Sequence, residues 1–232
     1  MSRLHQLGRR RLAGREPTIL LTGFEPFGGE RTNPSWQIAK LFDKRRFGSM
    51  RVRAARMPVN HRSAIARLRA TIEAYAPVAI LGLGQAGGRP ALSLERVAIN
   101  LVDQHRRDGT GTGHRSEKRV VDGGPDAYFS RLPLASLLGA LKRKRIPASY
   151  SLTAGAFICN TVMYTALHET RQTRSMPVGF IHLPYATDQA TRHPSAPTMS
   201  LSTMERGIEI ALQVVGRAAR LRPTGSIRIV TN

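Results

Sequence analysis

Two textures alternate along the chain. Short apolar runs bounded by glycine, proline or polar residues occur at Thr18-Ile-Leu-Leu-Thr22, Val78-Ala-Ile-Leu81 and Pro177-Val-Gly-Phe-Ile181. Runs of that length and uniformity mark strands covered on both faces. Met50 to Met57 alternates and reads as a further strand, as does Ser149 to Thr153. Between them the apolar positions take helical spacing: Asn33 as N-cap and Pro34 at the first position open a helix to about Phe42. Helices are also predicted over Arg62 to Ala74, Pro133 to Lys144, Phe157 to about Glu169, and Met199 to about Leu221. Strands alternating with helices predict a three-layer α/β fold, a twisted and mostly parallel sheet with helices on both faces. In such a sheet the carboxyl edge is where a site is expected.

The interruptions carry as much information as the elements. Gly23-Phe-Glu-Pro-Phe-Gly-Gly29 follows the first strand and holds two phenylalanines without a local core to bury them, which makes it a natural site wall. Gly82-Leu-Gly84-Gln-Ala-Gly87 matches the dinucleotide fingerprint formally, but that motif needs its glycines to open a helix. Here Gly88-Arg-Pro90 follows, and Leu94 to Val102 reads as extended. Asp103 to Pro125 is a polar, glycine-rich excursion. Residues 1–16 lack sustained periodicity and are expected to be a basic flexible extension, leaving 17–232 as a single domain.

Composition changes this picture in one respect. The 232 residues carry 36 Lys+Arg against 15 Asp+Glu, a formal charge of +21. Such a balance attracts nucleic acid, so a basic nucleic-acid-binding protein is one function to weigh. The basic residues are scattered, at Arg9-Arg-Arg11, Lys44-Arg-Arg46 and Lys142-Arg-Lys-Arg145 among others, and aromatics are 6% of the chain. A base-stacking platform needs aromatics interleaved with the charge, so nucleic acid is expected at most non-specifically. No stretch approaches membrane-spanning length and no apolar leader opens the chain. One cysteine excludes an internal disulfide framework and a cysteine-cluster metal site, which favours a reducing, cytoplasmic location.

That cysteine, Cys159, is either an inert small hydrophobe or a nucleophile. The strand-turn-helix around it puts the sulfur in the first turn of a helix, where free N–H groups and the dipole favour an anion. A cysteine nucleophile needs a base, and the base needs an acceptor on its other ring nitrogen. His182, at the end of the next strand, and Glu95, beyond the glycine-rich turn, have the right chemistry. Spacing alone leaves other roles open: His182 as a hydrogen-bonded strand-end residue, Glu95 as the partner of Arg96 or Arg89.

Several blocks together are more specific. Gly23-Phe-Glu-Pro-Phe-Gly-Gly29 with Asn33-Pro-Ser-Trp36, Gly84-Gln-Ala-Gly-Gly-Arg89, Glu95-Arg-Val-Ala-Ile-Asn100, Cys159-Asn160 and Gly179-Phe-Ile-His-Leu-Pro-Tyr185 occur in that order. In this the chain resembles pyroglutamyl peptidase I, also called pyrrolidone-carboxylate peptidase. The resemblance implies a cofactor-free and metal-free cysteine peptidase that removes N-terminal pyroglutamate from peptides. It implies Cys159 as nucleophile, His182 as general base and acid, and Glu95 orienting the histidine. Phe24 and Phe27 would line the lactam slot with Phe157 nearby, the backbone around Gln85 would bond the lactam, and Asn33 would order the loop. A homo-oligomer, dimer or tetramer, is expected by the same resemblance. The chain departs from the family pattern at Gln104-His-Arg-Arg-Asp-Gly109, where His105 stands at a family arginine and Arg106 at an apolar pocket position. That departure keeps a related cysteine amidohydrolase with an altered substrate as an alternative.

Overall fold

Every residue of β1 (Thr18–Phe24) is buried, as its apolar run requires of a strand covered on both faces. The computed structural model describes residues 16–102 and 118–221. After β1 come α1 (Pro34–Leu41), β2 (Arg46–Phe47), β3 (Met50–Met57), α2 (His61–Tyr75), β4 (Ala79–Gln85) and β5 (Leu92–Glu95). These are followed by β6 (Val97–Ile99), β7 (Ala127–Phe129), α3 (Leu134–Arg143), β8 (Ala148–Ser151) and α4 (Ile158–Glu169). The described chain closes with β9 (Val178–Leu183), β10 (Tyr185–Ala186), a 3-10 turn (Thr187–Gln189), β11 (Thr198–Met199) and α5 (Leu201–Arg220).

Seven strands form one sheet in the order β2-β3-β1-β4-β9-β5-β8. The four central strands β3, β1, β4 and β9 run parallel. β5 lies antiparallel to β9, and β8 follows β5. The alternation of side chains divides the core in two. Ile19 and Leu21, Leu81 and Leu83, and Ile181 and Leu183 pack with α1, α3 and α5. Leu20 and Phe24, Ile80, and Val178 and Phe180 pack with α2 and α4. This is the predicted three-layer arrangement.

Some details refine the sequence reading and others depart from it. The fourth strand extends through Gln85, so Gly82 and Gly84 are buried strand residues and open no helix. Their lack of a side chain serves close packing instead: a Cβ on Gly82 would lie 2.3 Å from the Phe180 ring. The extended segment Leu94 to Val102 breaks at Arg96, after which β6 leaves the main sheet to pair with β7. Glu95 therefore reaches the site from a strand antiparallel to β9, and the three candidate residues do not share one carboxyl edge. The excursion that starts at Asp103 is closed at its base by the Val102 N–H donating to Lys118 O at 2.8 Å; His105 and Arg106 lie outside the described residues, as do residues 1–15.

Candidate active site

On the α4 face the sheet changes character towards its end. Strand register places Gly84 beside His182 and His182 beside Ser93, so all three positions point to one face. Glu95, two residues beyond Ser93, points the same way. Where the neighbouring positions Ile80, Val178 and Phe180 are apolar core, this end of the face carries a glycine, a histidine, a serine and a glutamate. A buried polar group needs a partner, and the histidine and one oxygen of the glutamate supply each other's. His182 Nδ1–H donates to Glu95 Oε1 at 2.7 Å, with the two side chains 4% and 0% exposed. That bond fixes the ring and leaves Nε2 as the basic nitrogen. Arg89 Nη1 donates to the same Glu95 oxygen at 2.6 Å. Glu95 Oε2 is buried with no partner among the described residues.

Cys159 meets this cluster from above. Phe157 is the N-cap of α4 in extended conformation and makes no side-chain cap bond. Cys159 is thus the second helical residue, and the first intrahelical bond runs from the Thr161 N–H to Phe157 O. The N–H groups ahead of Thr161 face outward from the helix start, as such groups must. The half-buried sulfur sits over Gly84, where a Cβ would come within 2.8 Å of Sγ. Because Gly84 and His182 are in register, the sulfur lies over the strand next to the one that carries the imidazole. The helix is pinned there by the next residue. Asn160 accepts the Ile99 N–H at 2.9 Å and donates to Ile99 O at 2.8 Å and Leu101 O at 3.1 Å.

Burial disfavours the charged form of both side chains. Burial pushes the Cys159 thiol up to about 12; the Glu95 charge adds to this, while Arg89 and the cysteine's own N–H oppose it. Burial likewise lowers the His182 imidazole, against the hydrogen bond and charge of Glu95 and with help from Arg89.

The expected pocket residues gather beside this centre in different ways. Phe24 is 1% exposed and packs on Phe180 with ring centroids 6.4 Å apart, so it belongs to the core beneath the site. Phe27 is half-buried on the glycine turn, outside both core clusters. Phe157 is half-buried and meets His61 edge-on at 5.8 Å. Pairing of β4 with β1 ends at Thr22 and Gly82, whereas pairing with β9 continues to Gln85 and Leu183. Gln85 therefore stands with one backbone edge free of β1, next to the turn that leaves Phe24. Asn33 is fully committed to ordering that turn: Nδ2 donates to Glu25 O, and Oδ1 accepts from Ser35 N and Oγ. Ser35 Oγ in turn accepts the Phe24 N–H at 2.9 Å.

Sequence reasoning missed a second set of residues. Glu30, 10% exposed, accepts from His193 Nε2 at 2.8 Å and Gln189 Nε2 at 3.1 Å. Gln189 Nε2 also reaches Gln85 Oε1 at 3.3 Å, and Arg192 Nη1 donates to Gly29 O at 2.6 Å. The turn carrying Phe27 is thereby clamped to the chain segment after β10. No spacing signal could reveal a bond between residues 163 apart. Among the described residues no group of three or more His, Cys, Asp or Glu side chains is placed to hold a metal ion, and no helix is long and apolar enough to cross a membrane.

Comparison with known proteins places this geometry. Residues 17–218 match the family model described as pyroglutamyl peptidase. Pyrrolidone-carboxylate peptidase of Bacillus cereus (strain AH820) is 43% identical over 198 residues, 85% of this chain and 92% of its own length. The protein of the same name from Escherichia fergusonii is 43% identical over 195 residues, 84% and 91% of the two chains. Among solved structures, Pyrococcus furiosus pyrrolidone carboxyl peptidase has a TM-score of 0.83 at 35% identity, covering 87% of this chain and 99% of its own. Pyroglutamyl peptidase I of Bacillus amyloliquefaciens has a TM-score of 0.81 at 35% identity, covering 87% and 98%. With a family match over residues 17–218 and relatives 43% identical over most of both lengths, the chain belongs to the pyroglutamyl peptidase family.

Proposed function

We propose that this protein is a cysteine peptidase that removes an N-terminal pyroglutamyl residue from peptides, with Cys159 as nucleophile, His182 as base and acid, and Glu95 as the group that orients His182. The observation that carries the reading is the buried His182–Glu95 bond on the same sheet face over which Cys159 sits. Attack begins as His182 Nε2 takes the thiol proton and Sγ bonds to the pyroglutamyl carbonyl carbon. The oxyanion then forms where the first N–H groups of α4 point, and fixed donors of that kind stabilise it. His182 returns the proton to the leaving amine as the C–N bond breaks, and a water deprotonated by His182 hydrolyses the thioester. No step needs a thiolate at rest, which accords with a thiol pushed up to about 12.

The substrate's lactam is small and neutral and suits an apolar slot with a few fixed polar groups. Phe27 and Phe157 supply half-buried rings, Phe24 forms the floor, Asn33 holds the loop, and the free edge of β4 at Gln85 offers backbone groups to the lactam amide. Hydrolysis of a pyroglutamyl fluorogenic amide tests the reading. The expected result is turnover by wild type and loss of at least about 10⁴-fold in Cys159→Ser. Absence of turnover by folded wild type, with a free-amine reporter as control, contradicts it.

The assembly that accompanies this reading is a homo-oligomer. Phe129 and Leu152 are 72% and 73% exposed, and they adjoin Ser130 and Ser151, both bonded to the Arg96 backbone. Light scattering of the purified protein is expected to give a mass of two or four chains. A free, functional thiol accords with a reducing cytoplasmic location.

A further inference from the structure

Arg89 belongs to none of the roles assigned above, yet it touches both halves of the candidate centre. Its Nη1 shares Glu95 Oε1 with His182 and lies 3.3 Å from Ser151 Oγ. Its Nη2 donates to Thr153 O at 3.4 Å. Ser151 Oγ donates to Thr153 O as well, and the Thr153 hydroxyl accepts the Gly155 N–H at 3.0 Å. One guanidinium therefore joins the carboxylate that orients His182 to the turn that delivers Cys159. The side chain is 31% exposed while its carboxylate partner is 0% exposed. A buried carboxylate with one oxygen unpartnered is costly unless a charge compensates it. An arginine fork suits that place better than a lysine, because it can hold a carboxylate and backbone oxygens at once.

We propose that Arg89 is a positioning residue for the reaction, which holds the Glu95 carboxylate beneath His182, ties it to the turn before the cysteine helix, and places its positive charge beside the cysteine–histidine pair. The proposal deepens the peptidase reading and rests on it for the word reaction, although the charge effect on the sulfur stands by itself. Among the described residues the neighbouring groups leave Arg89 as the cation that acts here. Glu95 of β5 faces both Cys159 and His182. His61 of α2 is turned against Phe157 and bonds the Thr161 hydroxyl at 2.8 Å. Arg96 lies over the Tyr150 ring at 5.7 Å. Removing a cation favours the protonated form of every group near it, so the thiol and the imidazole must both titrate higher without Arg89.

Because Cys159 is the only cysteine, alkylation by iodoacetamide reads its protonation without any pyroglutamyl substrate. The rate is followed from pH 6 to 10 in wild type, Arg89→Gln and Arg89→Lys, each checked for native circular dichroism. Arg89→Met serves as a second neutral variant should glutamine prevent folding. The neutral variants are expected to alkylate about three- to tenfold more slowly at a given pH, the net of a thiol titrating about one unit higher and its thiolate being more nucleophilic. In parallel, the acid limb of kcat/KM moves up by about one pH unit. Arg89→Lys keeps the charge and is expected to stay near the wild-type profile in both measurements. If neutral and lysine variants lose activity alike with unmoved pH profiles, Arg89 is only a brace and the proposal fails. If wild type turns over no pyroglutamyl reporter while the alkylation profile shifts as stated, the peptidase reading fails and the charge effect of Arg89 survives.

Discussion

The two walls of the site are made by different means. The wall proposed to carry catalysis is sheet: Gly84, His182 and Ser93 are in strand register, Glu95 follows two residues on, and α4 is pinned to the Ile99 and Leu101 backbone by Asn160. The wall proposed for recognition is loop: the turn bearing Phe27 has glycines at φ +63° and +79° and is held by side chains from a distant segment. Ladder positions are hard to move, because a slip inverts every side chain; a loop held by three or four polar bonds can be loosened one bond at a time. Faults in the first wall must therefore cost turnover, and faults in the second must cost affinity.

The sharpest way to break that division is at Glu95. Glu95→Gln keeps the shape but allows the wrong imidazole tautomer and leaves Arg89 facing a neutral amide. It is expected to lower kcat by about 10³- to 10⁴-fold with little change in KM, measured by steady-state hydrolysis of the reporter. Next comes Gly84→Ala, whose methyl would stand 2.8 Å from Cys159 Sγ and 2.9 Å from the Phe180 ring. The sulfur has to shift, and misplacement of that order is expected to lower kcat about 10²-fold. A Gly84→Ala enzyme with wild-type kcat would show that the cysteine does not depend on this close approach.

The acid limb of the rate profile sharpens the account of the catalytic wall. Burial lowers the imidazole of His182, so the base form persists to lower pH than in a free histidine. The acid limb of kcat/KM is expected below about pH 6.5, with activity lost as pH falls through the lowered value. A limb above 6.5 would mean that the Glu95 charge outweighs burial. The smallest effect is expected on the recognition wall. Burial works against the charge of Glu30, but bonds from His193 and Gln189 and the charge of Arg192 outweigh it and hold its carboxyl below the ordinary value. Glu30→Gln weakens those bonds and is expected to raise KM about three- to tenfold with kcat within about twofold, the size of one weakened charged hydrogen bond. A matching fall in kcat would put the clamp on the catalytic side.

The same contrast governs what could be read from the sequence. The elements of the proposed catalytic wall were partly legible, because strand ends and a helix start leave periodic marks: α1 begins at Asn33 and Pro34 as predicted, and Cys159 falls in the first turn of α4. Glycines 82 and 84 were visible and their formal dinucleotide match was set aside for want of a following helix, but their use as space for Phe180 and Cys159 was not legible. Arg89 was named only as one possible partner of Glu95. It proves to be a partner at the same time as His182, a coincidence that one-dimensional spacing cannot express. The clamp of Glu30 by Gln189, Arg192 and His193 left no mark, since each bond joins loops far apart in the chain. The break at Arg96 was hidden because residues before and after it are equally β-forming, and only the partner strand distinguishes them.

The central claim is that Cys159 carries the acyl group during turnover. Rapid acid quench of the wild-type protein with an activated pyroglutamyl ester, followed by proteolysis and mass spectrometry, tests it directly. The account predicts one pyroglutamyl group on the peptide containing Cys159, formed and lost at rates compatible with kcat. Turnover with that peptide unmodified at every quench time, or an adduct confined to another residue, would contradict it.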